Sequence, residues 1–333
     1  MKKRIRLLAQ ALLLTTLLFP LSAYSKPLKI GLITNVGKID DGTFNEFAYK
    51  GMERAAKEFG LSSAFIETLQ PTDFDKNIQQ FTSEGYDLIL TVGFALGDAT
   101  RKMAAQYPHV KFIIIDYAFE PALDNIVGLV FAEEEAGFLA GALAGLMTAE
   151  KTVGVVAGPA IPPVVRFRRG YEAGAKYVNP ECEVLSVHID SFTDPARGKS
   201  AALSQMDEGA DVIFGAGGTT GSGAILGAAQ AGAWVMGVDQ DAYLATFKNG
   251  KVPGSDKVIS SAIKRVDNAV YTAIKLAAEG RFKGGVIRTD FSNAGIGLAP
   301  FHQASSKISQ KIKDRLKKIA ADLAAGQIKL GAN

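Results

Sequence analysis

Two stretches of the chain concentrate side chains able to recognise a small molecule, and none offers a nucleophile. There are three histidines, His109, His188 and His302, and one cysteine, Cys182. None of the histidines stands in a metal-ligand spacing such as HExxH, and neither GxSxG nor GxxxxGK[ST] occurs. Cys182, in PECEV, has no activating context and reads as a small core residue. Hydrolytic and metal chemistry therefore lack residues to perform them, and no cofactor or metal ion is expected. The first dense stretch is TNVGKIDDGTFNEFAY (34–49), with Asn35, Asp40, Asp41, Thr43, Phe44 and Asn45. Thr43 reads as a helix N-cap, and Asp40 or Asp41 would complement the helix dipole. Phe44 could stack on a flat ring or join the core. The second is DVIFGAGGTTGSG (211–223), followed by Asp239. Glycines between a strand and a helix, with an acid beyond them, are the raw material of a dinucleotide site. The spacing is nevertheless not GxGxxG, so an NAD(P)-type dehydrogenase is a minor alternative. A carboxylate at a strand's end can accept two hydrogen bonds from a vicinal diol, whichever reading holds.

These residues need elements to hold them. Short β-branched runs alternate with longer amphipathic ones: LKIGLIT, SSAFIET, LILTVG, VKFIIIDYAF and NIVGLVFA predict strands with helices between them. The pattern restarts at EEEAGFLAGALAGLMTAE (133–150), a predicted helix, and continues through KTVGVVAGP, EVLSVHID, DVIFGAG and WVMGVDQD. A strand at KVISSAI, a helix over 264–280, a strand near 294–299 and a last helix over 307–326 follow. Alternating strands and helices imply right-handed βαβ units, mainly parallel sheets, and two similar α/β lobes. Ligands in such sheets bind at the carboxyl ends of the strands, where both dense stretches fall.

The 333 residues are 47% hydrophobic and 21% charged, which excludes a disordered or collagen-like chain, and a single Cys excludes a disulfide framework. Lys2, Lys3, Arg4 and Arg6 precede an apolar stretch from Leu7 to Pro20 and the small residues of Ala23-Tyr24-Ser25, the order of a secretory signal peptide over 1–25. No Cys lies near that cleavage site, so a soluble periplasmic protein is expected rather than a lipoprotein. The leader holds four of the 37 Lys and Arg and none of the Asp or Glu. The remaining 33 cations face 34 anions, and the formal +3 becomes −1. A near-neutral chain has no general attraction for polyanions, so no nucleic-acid partner is expected.

Taken in order, GLITNVGKIDDGTFNEFAYKGM, VFAEEEAGFLAGALAGLM, RRGYEAG, DPARGK and GVDQD cover much of the chain. The sequence resembles the basic membrane protein family of ABC-transporter substrate-binding proteins, whose best-known members bind purine nucleosides. The resemblance implies a type I periplasmic-binding-protein fold, two doubly wound parallel-sheet lobes with three crossovers and a ligand cleft between them. It implies a first lobe of 26–132 with about 243–287, and a second of 133–242 with about 288–333. The stacking aromatics then fall on Phe44 and Phe192, with Phe167 as substitute. The base contacts fall on Asn45 and on Asn35, and the ribose contacts on Asp239 and Lys264; Asp41, from its place in the first turn, is a further ligand candidate beside its capping role. Asp116 closes the fourth strand, and Gly218 brings the glycine turn near the ligand. The partners implied are a nucleoside-like ligand and an inner-membrane permease with its ATPase, and a monomer is the default. The same fold could instead bind another small polar ligand or serve as a chemosensory receptor subunit. One departure stands out: the family commonly has a Thr-Asp pair after the first strand, and here the pair is Thr34-Asn35. An Asn both accepts and donates, which would suit a base such as adenine.

Overall fold

A computed structural model describes residues 27–330, so the leader assigned to 1–25 lies outside the described residues. The chain opens with β1 (Lys29–Val36), α1 (Phe44–Phe59), β2 (Ser62–Thr68), α2 (Phe74–Ser83), β3 (Leu88–Thr91), α3 (Gly97–Gln106), β4 (Lys111–Ile115) and β5 (Ile126–Phe131). It continues with α4 (Glu133–Met147), β6 (Thr152–Ala157), α5 (Pro162–Val178), β7 (Glu183–His188), α6 (Pro195–Asp207), β8 (Val212–Ala216), α7 (Gly218–Gln230) and β9 (Trp234–Asp239). The last elements are β10 (Val258–Lys264), α8 (Val266–Ala278), β11 (Gly285–Thr289), β12 (Ile296–Leu298) and α9 (Gln310–Ala324).

The strands form two six-stranded sheets, ordered β11-β5-β4-β3-β1-β2 and β12-β10-β9-β8-β6-β7. Every pairing in the first sheet is parallel, and only β12 runs antiparallel in the second. Central strands such as Leu88–Thr91 and Val212–Ala216 are buried along their whole length, as runs covered by helices on both faces must be. The chain crosses between lobes three times, after β5, after β10 and after β11, which is the type I periplasmic-binding architecture.

The lobe boundary differs from the one expected at about residue 243. β10 pairs with β9, and Tyr243, Phe247 and Val258 sit in the second lobe's core, so the segment through Lys264 belongs to that lobe. Only α8 and β11, ending at Thr289, return to the first. Strand pairing is non-local and left no mark on the local pattern that placed the boundary. β11 itself, GVIRT, escaped notice because it is a half-buried edge strand with two polar residues, Arg288 and Thr289, among its five.

The second lobe is held by close helix contact. Gly137, Gly141 and Gly145 recur every four residues on one side of α4, and Gly170 and Gly174 answer from α5. A Cβ at Gly141 would overlap the Tyr171 carbonyl, and one at Gly174 that of Phe138. The FLAG and RRGYEAG stretches therefore carry backbone-to-backbone packing rather than ligand chemistry. Among the described residues no helix is long and apolar enough to cross a membrane.

Candidate functional site

A cavity of about 450 Å³ lies between the lobes, at the carboxyl ends of both sheets. Asn35, Asp41, Phe44, Asn45 and Asp116 border it from the first lobe, and Phe192, Gly218, Asp239 and Lys264 from the second. Phe167 borders it as well, as do Gly93 and Phe94. That volume lies within the range of small-molecule sites.

One end is ionic. Asp116 follows β4 and Asp239 ends β9, and both adopt the left-handed backbone conformation, with φ of 67° and 64°. Lys264, at the end of β10, is 1% exposed. Its Nζ lies 2.6 Å from Asp116 Oδ1, a charge contact made outside hydrogen-bonding angles, and donates to Glu133 Oε1 at 3.0 Å. Arg166 Nε holds the other Glu133 oxygen at 2.8 Å. Burial works against the Lys264 ammonium, but Asp116, Glu133 and Asp239 outweigh it and hold the group above the ordinary lysine value. Burial pushes Asp116 up to about 6 against the pull of Lys264, with Glu133 adding to the rise. Asp239 reaches about 7: burial raises it, Lys264 lowers it, and Asp116, Asp41 and Glu133 raise it further. A carboxylate so placed gains from hydroxyl donors, which favour its ionised form.

The other end is the first βα turn. Asp41, not Thr43, caps α1. Its Oδ1 accepts from the Thr43 and Glu46 N–H groups at 2.8 and 3.1 Å, and its Oδ2 from Asn45 N–H at 3.2 Å. Thr43 Oγ1 makes no hydrogen bond among the described residues. Two adjacent oxygen-bearing residues are interchangeable in a capping rule, and only the turn geometry chooses between them. Burial lifts Asp41 above the ordinary carboxylate value despite those three N–H donors. It borders the cavity with both oxygens already engaged.

The aromatic walls come from both lobes. The ammonium of Lys264 lies 5.2 Å from the centre of the Phe44 ring, 5.8 Å from that of Phe167 and 4.7 Å from that of Phe131. Phe192 packs against the glycine turn, and its carbonyl accepts from Thr220 N–H and the Thr219 hydroxyl, both at 3.1 Å. A Cβ on Gly218, at φ 58°, would lie 2.8 Å from that carbonyl, and one on Gly217 would overlap Gly158. These glycines are thus needed for approach of protein backbone. A pyrophosphate is not required to explain them, and the dinucleotide reading loses its main support.

Sequence reasoning missed Glu133. It stands first of three glutamates at a helix start, where a dipole argument explains all three equally. The histidines stand apart from the cavity lining: His188 Nδ1 lies 2.8 Å from the Gly158 carbonyl, and His302 Nε2 lies 2.6 Å from Asp241. Cys182 is buried in the second lobe's core. Among the described residues no group of three or more His, Cys, Asp or Glu is arranged to hold a metal ion.

Residues 28–329 match the family model of PnrA-like ABC transporter substrate-binding proteins. The chain belongs to this family. Similar members include the ABC transporter nucleoside-binding protein BmpA of Lactococcus lactis, 30% identical over 90% of this chain and 88% of its own. Basic membrane protein A of Borreliella burgdorferi is 31% identical over 92% and 88%. An ABC transporter solute-binding protein from Aeropyrum pernix K1 superposes with a TM-score of 0.84 at 28% identity, covering 92% of this chain and 94% of its own. A lipoprotein of Pyrococcus abyssi is 31% identical over 90% of this chain. As a family member the protein binds a small molecule for an ABC permease.

Proposed function

We propose that the protein captures a purine nucleoside, or a close relative of one, in the interlobe cavity. It would then deliver the ligand from the periplasm to an inner-membrane ABC permease and its ATPase, acting as a soluble monomer. The observation that carries this reading is the polarity of the cavity. At one end, Asp239 and Lys264 both border the cavity and are buried, with Lys264 acting on Asp239 by charge, a pair suited to the hydroxyls of a ribose. At the other, amide side chains stand beside aromatic faces, suited to the edge and faces of a heterocycle. Phe44, with Phe192 or Phe167, would sandwich the ring, and Asn35 and Asn45 would meet its edge. The Lactococcus relative's description as nucleoside-binding supports the choice of ligand. Closure of the lobes about the three crossovers would enclose it.

A thermal-shift screen of nucleosides, free bases, pentoses and NAD tests this reading. Stabilisation follows RT ln(1 + [L]/Kd), so a ligand at about 100 times its Kd adds roughly 2.7 kcal/mol. Purine nucleosides are expected to stabilise the protein where bases and pentoses alone do not. Stabilisation by a free sugar alone, or by none of the panel, overturns the assignment.

A further inference from the structure

Asn35 and Asn45 are the polar side chains at the ring end of the cavity that are nearly removed from solvent with hydrogen-bonding capacity left over, being 8% and 3% exposed. A carboxamide's two ends are hard to tell apart by shape, but here the backbone decides. The Val36 N–H can only donate, and it donates to Asn35 Oδ1 at 2.8 Å. The Asn35 N–H likewise donates to Asn45 Oδ1 at 3.1 Å. Both oxygens are therefore engaged, and each amide nitrogen is left as the free end. Asn35 Nδ2 is turned to Gly93, 2.9 Å from where a Cβ would stand, next to the edge of Phe44. Asn45 Nδ2 lies beside Gly37. Gly37 and Gly93 both border the cavity, and among the described residues neither Nδ2 has a hydrogen-bond partner. Asp41, whose carboxylate accepts from the Asn45 N–H, meets backbone N–H groups with both oxygens, and Asp40 is exposed at the rim.

We infer that Asn35 and Asn45 turn their Nδ2 donors to the ring, and so select a 6-oxopurine nucleoside bound through its O6/N7 edge. This rests on the nucleoside reading above and names the base. Guanine and hypoxanthine carry two neighbouring acceptors on that edge, whereas adenine carries N7 beside an N6 donor. The N1–H edge of a 6-oxopurine needs an acceptor, and the amide oxygens that would supply it are turned to backbone N–H groups. The adenine pairing expected for an Asn after the first strand required Oδ1 to face the ring, and it faces the Val36 N–H instead.

Calorimetric titration of the full mature chain with guanosine, 7-deazaguanosine and adenosine tests the assignment, alongside the variant Asn35→Asp. The variant keeps an oxygen for the Val36 N–H and replaces the donor with an acceptor. For the wild type, loss of N7 is expected to weaken binding at least about tenfold, with adenosine weaker than guanosine by a similar factor. Asn35→Asp is expected to weaken guanosine at least about tenfold and to shrink the penalty for 7-deazaguanosine. Equal binding of guanosine and 7-deazaguanosine by the wild type overturns the inference and leaves the nucleoside reading standing, even if the variant fails to fold. A variant that binds guanosine as tightly as the wild type also overturns it. If no nucleoside binds, the nucleoside reading fails and the base assignment falls with it.

Discussion

The two lobes repeat one plan and use it differently. Their strand orders correspond position by position, and each sets an aspartate in the left-handed conformation at the end of its fourth strand. Few residues other than Gly tolerate that conformation, and Asp is among those that do. The first lobe's Asp116 receives a lysine from the other lobe at 2.6 Å. The second lobe's Asp239 has no such contact and rises further, to about 7 against about 6. The same backbone device thus yields one aspartate paired across the lobes and one that, under the function proposed above, is left for a ligand. What separates them is Lys264, which grows from the second sheet but makes its closest charge contact with the first lobe.

The most severe way to break this comparison is to remove that lysine. Lys264→Ala would leave Asp116 and Glu133 buried beside each other without their shared cation. A loss of about 3–5 kcal/mol is expected by chemical denaturation. Adding Glu133→Gln to the same variant should recover part of it. Unchanged stability in Lys264→Ala would show that the cluster does not join the lobes. A smaller effect separates the lobes by packing. Gly141→Ala forces α4 away from α5 in the second lobe and is expected to cost about 1–3 kcal/mol. Gly51→Ala, where α1 of the first lobe meets Asp267 at a single glycine, should cost less. The reverse order would place the tighter packing in the first lobe.

The aspartates themselves should part company in binding. Asp239→Asn is expected to weaken nucleoside affinity roughly 10- to 100-fold, by calorimetry, with Asp116→Asn acting mainly on stability. The smallest effect is on pH. With Asp239 near 7 and its ionised form bound, the competent fraction rises from roughly one tenth at pH 6 to nine tenths at pH 8. Affinity should therefore be close to tenfold weaker at pH 6, and Asp239→Asn should abolish the slope. Stability runs the other way. A carboxyl raised in the folded state contributes stability that is fully present below its unfolded value of about 4 and lost as pH rises through about 7. The melting temperature without ligand should fall across that window, and fall less in Asp239→Asn.

Most of the architecture was legible in the alternation of strand and helix runs, because each βα unit carries its own local period. The boundary at Lys264 was not, since which sheet accepts β10 depends on residues far away in sequence. Phe44 and Asp239 could be singled out from their local context, at a helix start and a strand end, whereas Lys264 came only from the family resemblance. The division of labour between Asp41 and Thr43 could not, because either residue satisfies the same capping rule. The amide orientations of Asn35 and Asn45 were likewise hidden, being set by which backbone N–H groups approach them in the folded turn. FLAG and RRGYEAG, which carried part of the family resemblance, are glycine contacts between helices.

The interleaved sheets also constrain the order of assembly. The first sheet lacks its β11 edge until residue 289, and the second lacks β12 until residue 298, although their first strands begin at Lys29 and Thr152. A chain emerging from its N-terminus can therefore finish neither lobe until nearly nine tenths of it has appeared. Early closure of a native first lobe is barred by topology, and long-range pairing of this kind folds slowly. The same crossovers that link the two lobes keep both of them open until the last strands of the chain have been made.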